Sequence, residues 1–158
     1  MEKAISTVLL TIASVVAMLV VISAVMPSVG RTTGAITSAS SALDDRIKAD
    51  IEIIHATGED ANFDAFVWVK NIGASNLIAI ERTDIFFGED SNFQRIPYGG
   101  PGCAAPCWEA TIENATSWEP TSTLGITIHL DAALTAGSTY YVKVVLYNGT
   151  SDARYFTL

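Results

Sequence analysis

The sequence has few of the side chains on which most catalysis and metal binding depend. Its 158 residues include two cysteines and two histidines, and neither histidine lies at metal-ligand spacing from the cysteine pair. It also lacks a phosphate-binding glycine loop and a Ser, His and Asp set in a recognisable catalytic context. We therefore predict that the protein is not an enzyme and has no catalytic residues, no cofactor and no metal site.

Positive charge is scarce as well. The chain carries nine Lys and Arg residues against 17 Asp and Glu, a formal net charge of −8, and seven of the eight excess negative charges lie in residues 56–158. Because an acidic surface repels the phosphates of nucleic acids, the composition argues against nucleic acid as a partner. It suits a domain that faces water and stays soluble at high local concentration.

The two cysteines, Cys103 and Cys107, lie close together in the segment PGCAAPCWE. A close pair in a loop rich in Gly and Pro favours a local disulfide formed in an oxidising compartment. A pair of free thiols and a metal site are the alternatives, and the metal site lacks further ligands. Since a short loop gains little from closure, we expect a disulfide here to shape the loop more than to stabilise the fold.

What the sequence has in excess is an N-terminal apolar run. Residues 4–26 contain no charged side chain, and their polar ones are Ser and Thr, whose hydroxyls can bond to a helix backbone. As a helix the run is about 34 Å long, enough to cross a bilayer core of about 30 Å. It is longer than the apolar part of a cleavable signal peptide, and Lys3 is the one basic residue before it, so that interpretation is rejected.

A helix that is apolar on every side needs apolar surroundings, which either lipid or further copies of the helix supply. A plain membrane anchor is one interpretation, but the many Ala, Ser, Thr and Val residues favour close packing of helices. We predict that the helix forms the polymerisation core of an assembly. The residues assigned to that core are Ile5, Val8, Leu9, Ile12, Val15, Val16, Leu19, Val20, Ile22 and Val25.

Residues 27–55 are predicted to continue the helix with one apolar stripe. Pro27 bends or loosens it, and from position 36 onwards apolar residues recur at helical spacing. The side chains expected to pack on the following domain are Ile36, Leu43, Ile47, Ile51 and Ile54. The predicted first domain is thus a helix over residues 1–55, apolar in 1–26 and amphipathic in 27–55.

The remainder, residues 56–158, is predicted to be a β domain. About seven short segments alternate apolar and polar residues and are separated by Gly, Pro, Asn and Ser clusters. The last two form a hairpin around Asn148-Gly149, a dipeptide typical of tight turns. No second helical pattern follows, which favours an antiparallel sandwich. The fold class is therefore α+β, with a long N-terminal hydrophobic helix and an immunoglobulin-like β-sandwich head.

Two sequons predict possible N-glycosylation. They begin at Asn114 and Asn148, each in a predicted turn or strand end where the side chain is exposed. Asn148 also has the competing role of a hairpin turn residue.

The segments ISTVLLTIASVVAMLVVISAV, VWVKNIGASNL and TDIFFG resemble the type IV pilin superfamily, and within it the archaellins most closely. Bacterial type IV pilins carry Glu at the fifth position, where this chain has Ile5, which favours the archaellin likeness. The same segments are similar to archaellum accessory proteins. Superfamily members are cut from a precursor with a basic leader, so the resemblance implies that this chain is the processed form.

The resemblance implies a structural subunit of an extracellular, archaellum-like motility filament. Its expected partners are copies of itself in a helical homopolymer, and by family the motor platform and the assembly ATPase machinery. The chain is expected to sit in the cytoplasmic membrane before assembly and on the cell surface afterwards. The alternatives are a membrane-anchored, stator-like module that binds the cell envelope, and an adhesive pilin of the same build.

Overall fold

The structure is a computed structural model that describes residues 2–158 and contains one long helix followed by eight strands. The chain divides into two compact units, of which the first ends at Leu43 and the second, here called the head, is Asp44–Leu158. The helix α1 is Glu2–Lys48. The strands are β1 Ile51–Gly58, β2 Asp64–Asn71, β3 Asp84–Glu89, β4 Asn92–Ile96, β5 Cys107–Glu113, β6 Thr123–His129, β7 Thr139–Val145 and β8 Ser151–Thr157, with a 3-10 turn at Ile80–Arg82.

Hydroxyl side chains of α1 bond to its own backbone, as expected in an apolar helix. Thr11 Oγ1 donates to the carbonyl of Val8 at 2.8 Å, and Ser23 Oγ donates to that of Leu19 at 2.7 Å. The helical assignment is unbroken across Pro27, which has no N–H to donate. At these two positions the hydroxyl is paired within the helix and adds no unsatisfied polar group to its apolar surface.

The prediction that the helix extends to residue 55 is wrong, because α1 ends at Lys48 and Ile51–Gly58 form β1. Ile51 and Ile53 point into the core of the head, with exposed fractions of 4% and 2%. Ile54, assigned above to helix packing, lies on the strand with 41% of its surface exposed, and Ile47 is 80% exposed. The apolar spacing at this point fits a strand as well as a helix, and pairing with β2 decides the outcome. The packing of Ile36 and Leu43 stays a prediction.

The head is a sandwich of two four-stranded sheets, and all of its strand pairs are antiparallel. The first sheet has the order β1-β2-β6-β5 and the second has the order β4-β3-β7-β8. Along β2, β6 and β7, buried and half-buried residues alternate, so that one side of each strand faces the core. This arrangement confirms the predicted fold class. The last hairpin is also present, although β7 and β8 are joined by residues 146–150 rather than by Asn148-Gly149 alone.

Asn71 is a buried polar residue at the end of β2. Its Nδ2 donates to the carbonyls of Ser75 and Trp118, and its Oδ1 accepts from the N–H of Gly73. Both ends of the buried side-chain amide therefore have partners, and a buried amide group without one costs about 1–3 kcal/mol. Asn71 therefore shapes the segment that follows β2, which lies against the end of α1.

The edge of β1 that does not pair with β2 is covered by side chains of β8. The N–H of Ile53 donates to Asp152 Oδ2 at 2.7 Å, and Arg154 Nη1 donates to the carbonyls of Ile53 and Ile54 at 2.7 and 2.9 Å. The strand register shifts at the same place, between Ile53 and His55. These bonds occupy backbone groups that an exposed edge strand would offer to another chain.

Candidate assembly helix and head sites

All ten residues assigned to the polymerisation core lie on α1 and are exposed, with exposed fractions between 41% for Ile22 and 63% for Val20. Other large apolar residues of the same stretch, absent from that assignment, are exposed as well. They are Leu10, Met18, Val21 and Met26. Since they lie between or directly after the assigned residues, the apolar surface continues around the helix. The sequence alone could have identified them, because residues 4–26 have no polar face and so every large apolar residue there is a candidate.

By length and composition, α1 could span a membrane. Its most apolar window has a mean hydropathy of 2.8 and none of it is buried in the structure. An exposed apolar surface of this extent is unstable in water, so lipid or other protein must cover it.

The last turn of α1, which belongs to the head unit, is held by the segment after β2. The N–H of Ala74 donates to the carbonyl of Lys48 at 2.7 Å, and the N–H groups of Ile72 and Gly73 both donate to the carbonyl of Asp50 at 3.0 Å. The bond from Ala74 satisfies a carbonyl that the helix end leaves without an internal partner, and the bonds to Asp50 hold the link between α1 and β1. The motif Asn71-Ile72-Gly73 thus has a structural role at the end of the helix.

Cys103 and Cys107 form a disulfide beside the edge of the first sheet. The backbone N–H of Gly102 in this loop donates to Glu109 Oε2 at 2.6 Å. The preceding segment pairs with β5, because the N–H of Gly99 donates to the carbonyl of Trp108 and the N–H of Trp108 donates to that of Pro97. The loop therefore covers the outer edge of β5.

The two sequon asparagines differ in access. Asn114 is exposed at the end of β5, with a left-handed backbone φ of 57°. Asn148 is half-buried, its Oδ1 accepts from the N–H of Thr150, and its Nδ2 is buried without a hydrogen-bond partner among the described residues. Glycosylation forms a bond at this side-chain nitrogen, so the folded head presents the acceptor atom of Asn114 and encloses that of Asn148.

His129 lies between two carboxylates on the first sheet. Its Nδ1 is 2.7 Å from Asp64 Oδ1, and its Nε2 is 3.7 Å from Glu109 Oε1. His55 is on β1 and contacts the Trp68 ring, with the ring centroids 5.4 Å apart. Within the part of the chain that the structure describes, no group of three or more His, Cys, Asp or Glu residues could hold a metal ion.

Comparison with known proteins places the whole chain in one family. The sequence profile of archaeal-type flagellin matches residues 2–156. An uncharacterized protein of Archaeoglobus fulgidus is 32% identical over 164 aligned residues, which cover 99% of this chain and 98% of the relative.

Solved structures show the same fold. The archaeal flagellum of Methanospirillum hungatei strain JF1 matches 94% of this chain and 90% of its own, with a TM-score of 0.68 and 14% identity. The archaellum periplasmic stator protein FlaG from Sulfolobus acidocaldarius matches 68% of this chain and 99% of its own, with a TM-score of 0.59 and 22% identity. Archaeal flagellin FlaB1 from Methanocaldococcus jannaschii matches 69% and 89%, with a TM-score of 0.57 and 10% identity. The predicted resemblance is thus confirmed, and this archaellum-related chain belongs to the archaeal-type flagellin family.

Proposed function

We propose that the protein is a structural subunit of an extracellular, archaellum-like filament and polymerises through α1. The observation that carries the proposal is the exposure of apolar side chains on all sides of α1, from Ile5 to Val25. Such a helix is stable in lipid as a single subunit and in a bundle of its own copies as a polymer. When the helix moves from lipid into the bundle, one apolar environment replaces another, so assembly does not expose the helix to water.

The matches with known proteins support the same function. The flagellum of Methanospirillum hungatei matches this chain over 94% of its length, which includes residues of the helix as well as of the head. We infer a comparable cycle for this chain: insertion in the cytoplasmic membrane, then extraction into a homopolymer at the cell surface. A motor platform and an assembly ATPase are the partners that this cycle requires.

A second candidate is a membrane-anchored module that binds the cell envelope. It is favoured by the match with the stator protein FlaG, which covers 99% of that chain. In this case α1 stays in lipid and the head acts alone or in small oligomers. An adhesive, non-rotating pilin would use the same helix core as the filament and differ in what the head contacts.

We also infer that the head is a glycoprotein modified at Asn114 and not at Asn148. Exposure of the first amide and burial of the second support this assignment.

Immunogold electron microscopy of whole cells, with antibody raised against the full-length chain, tests the proposed function. Gold along extracellular fibres is the expected result. Gold confined to the envelope beside bare fibres would overturn the filament proposal in favour of the anchored module. Loss of surface attachment, but not of swimming, in a deletion strain would identify the adhesive pilin.

A further inference from the structure

Three aromatic rings form a row across the outer face of the second sheet. Phe93 on β4, Tyr141 on β7 and Tyr155 on β8 lie in register, with ring centroids 4.8 Å apart for Phe93 and Tyr141 and 4.9 Å apart for Tyr141 and Tyr155. β4 and β7 are not neighbours, because β3 lies between them and contributes Gly88 at this level. Because Gly88 has no side chain, the rings of Phe93 and Tyr141 meet above β3.

The row is open to solvent and has basic residues beside it. Phe93 is 50% exposed and Tyr155 is 58% exposed. The next level of the same face carries Arg95 and Lys143, on either side of Phe86. We call the outward-facing side chains of β3, β4, β7 and β8 the basic face.

The outer face of the first sheet has aromatic residues too, with the opposite charge. Phe66 and Trp68 lie next to each other on β2, with ring centroids 6.3 Å apart, and His55 also contacts the Trp68 ring. Four carboxylates surround them at outward positions of β1, β2 and β5, against Lys70 as the one Lys or Arg of this face. They are Glu52, Asp64, Glu109 and Glu113. We call the outward-facing side chains of β1, β2, β5 and β6 the acidic face.

The basic face has a charge of opposite sign to the chain as a whole. Arg95 and Lys143 outnumber its single carboxylate, Asp84, which forms an ion pair with Arg95 at 2.6 Å. The whole chain has a net charge of −8. Copies of an acidic protein repel each other when crowded, unless a local patch of opposite sign meets the acidic surface of the neighbour.

We propose that the basic face of one head docks on the acidic face of the next copy of this chain. The proposal rests on the proposed filament function. Aromatic side chains on both faces supply the contact area, and the opposite charges orient it. Because the two faces are different surfaces of one molecule, the contact is heterologous, and a heterologous contact that does not close generates an open helical polymer.

The size of the faces explains why this contact depends on α1. Four strands about 4.8 Å apart and about 23 Å long offer roughly 440 Å² per face, which is about half of what each partner buries in a stable complex. Two heads on their own therefore associate weakly. Once α1 holds neighbouring subunits in a bundle, the effective concentration of the faces is high enough for them to dock.

Photo-cross-linking of full-length chains tests the contact directly. Benzoylphenylalanine replaces Tyr155, which keeps an aromatic group on the basic face. In a matched control it replaces Ile78, which lies in the segment between β2 and β3 and is 66% exposed. Fibres sheared from cells and the same chains dispersed in detergent are irradiated side by side. We expect a ladder of multimers from Tyr155 in fibres only, with cross-links that map to β1, β2, β5 or β6 of another copy, and an at least fivefold weaker ladder from Ile78.

Charge reversal provides the second arm. Lys143→Glu on the basic face and Glu113→Lys on the acidic face are each expected to lower the cross-linked fraction about fivefold, the upper range for an exposed pair. Lys143→Arg and Glu113→Asp, which keep both charges, are the matched controls and should leave it unchanged. Cross-links that join two basic faces, ladders that persist unchanged in detergent, or an undiminished cross-linked fraction in both charge-reversal variants would overturn the docking of unlike faces.

The result also separates this inference from the proposed function. Normal fibres without any cross-link from Tyr155 overturn the head contact and leave the filament function intact. A periodate-sensitive adduct at Tyr155 overturns the contact and makes the basic face a sugar-binding surface. No fibres from the unmodified chain, with gold on the envelope, overturn both proposals.

Discussion

Gly73 packs directly against the carbonyl of Lys48, so closely that a β-carbon at position 73 would overlap the Lys48 oxygen. The neighbouring Ala74 donates its N–H to the same carbonyl, and Asn71 holds the segment from the other side. The backbone from Lys48 to Asp50 therefore lies directly against Gly73. This contact explains the position at which the helix ends.

Gly73→Ala is expected to lower the free energy of unfolding of the head by about 1–3 kcal/mol, because the backbone on both sides must shift to make room. Thermal unfolding of the full chain in detergent, followed by near-UV circular dichroism of the buried Trp108 and Trp118, measures the change. Gly34→Ala on α1 is the matched control, since nothing lies within 4 Å of its new β-carbon. Equal melting temperatures for the Gly73 variant and the unmodified chain would contradict the role of this contact.

Asp152→Ala is expected to destabilise the head by about 1–2 kcal/mol, because the N–H of Ile53 loses its acceptor. The more specific measurement is hydrogen exchange, in which the amide of Ile53 should exchange faster while amides in the centre of β6 change only with global stability. Ser151→Ala, an exposed position next to it on β8, is the control. If Ile53 exchanges at the same rate in both variants, the bond to Asp152 does not protect the edge of β1.

Asn114→Gln is expected to remove a glycan from the chain, and Asn148→Gln to leave the glycan mass unchanged. The reason is that Asn114 is exposed whereas the Nδ2 of Asn148 is buried. Intact-mass spectrometry of chains purified from the native host, with and without chemical deglycosylation, gives the number of glycans per chain. A mass loss on substitution of Asn148 would show that modification precedes folding of the β7–β8 turn.

Val15→Asp is expected to abolish fibres while the head stays folded. Val15 lies in the middle of the apolar stretch, where a carboxylate costs about 2.5–3.5 kcal/mol per copy in an apolar environment. Negative-stain microscopy measures fibre formation, and the melting temperature of the head in detergent reports its folding. Val15→Leu keeps the apolar character and should still assemble. Fibres of normal length and number from the Asp variant would show that α1 does not form the polymer core.

The boundary between α1 and β1 is a place where the sequence pattern does not predict the secondary structure. Ile47, Ile51 and Ile54 recur at helical spacing, while Ala49, Ile51 and Ile53 recur at strand spacing, so periodicity alone cannot choose between the two. The choice depends on partners distant in sequence: β2 pairs with β1, and the segment Ile72–Ala74 donates to the carbonyls of Lys48 and Asp50. Apolar residues in α1 were assigned correctly to the helix because they need no such partner to form one.

By itself the sequence determined what depends on local chemistry. Residues 4–26 are apolar enough and long enough for a helix that requires lipid or other protein around it, and alternation in β2, β6 and β7 specifies the core side of each strand. Only the tertiary structure decided what depends on bringing distant segments together. It ends α1 at Lys48, buries the amide of Asn148 and joins Phe93 with Tyr141 above Gly88. Each of these features results from contacts between residues that lie in different segments of the folded chain. A local sequence pattern cannot predict such contacts.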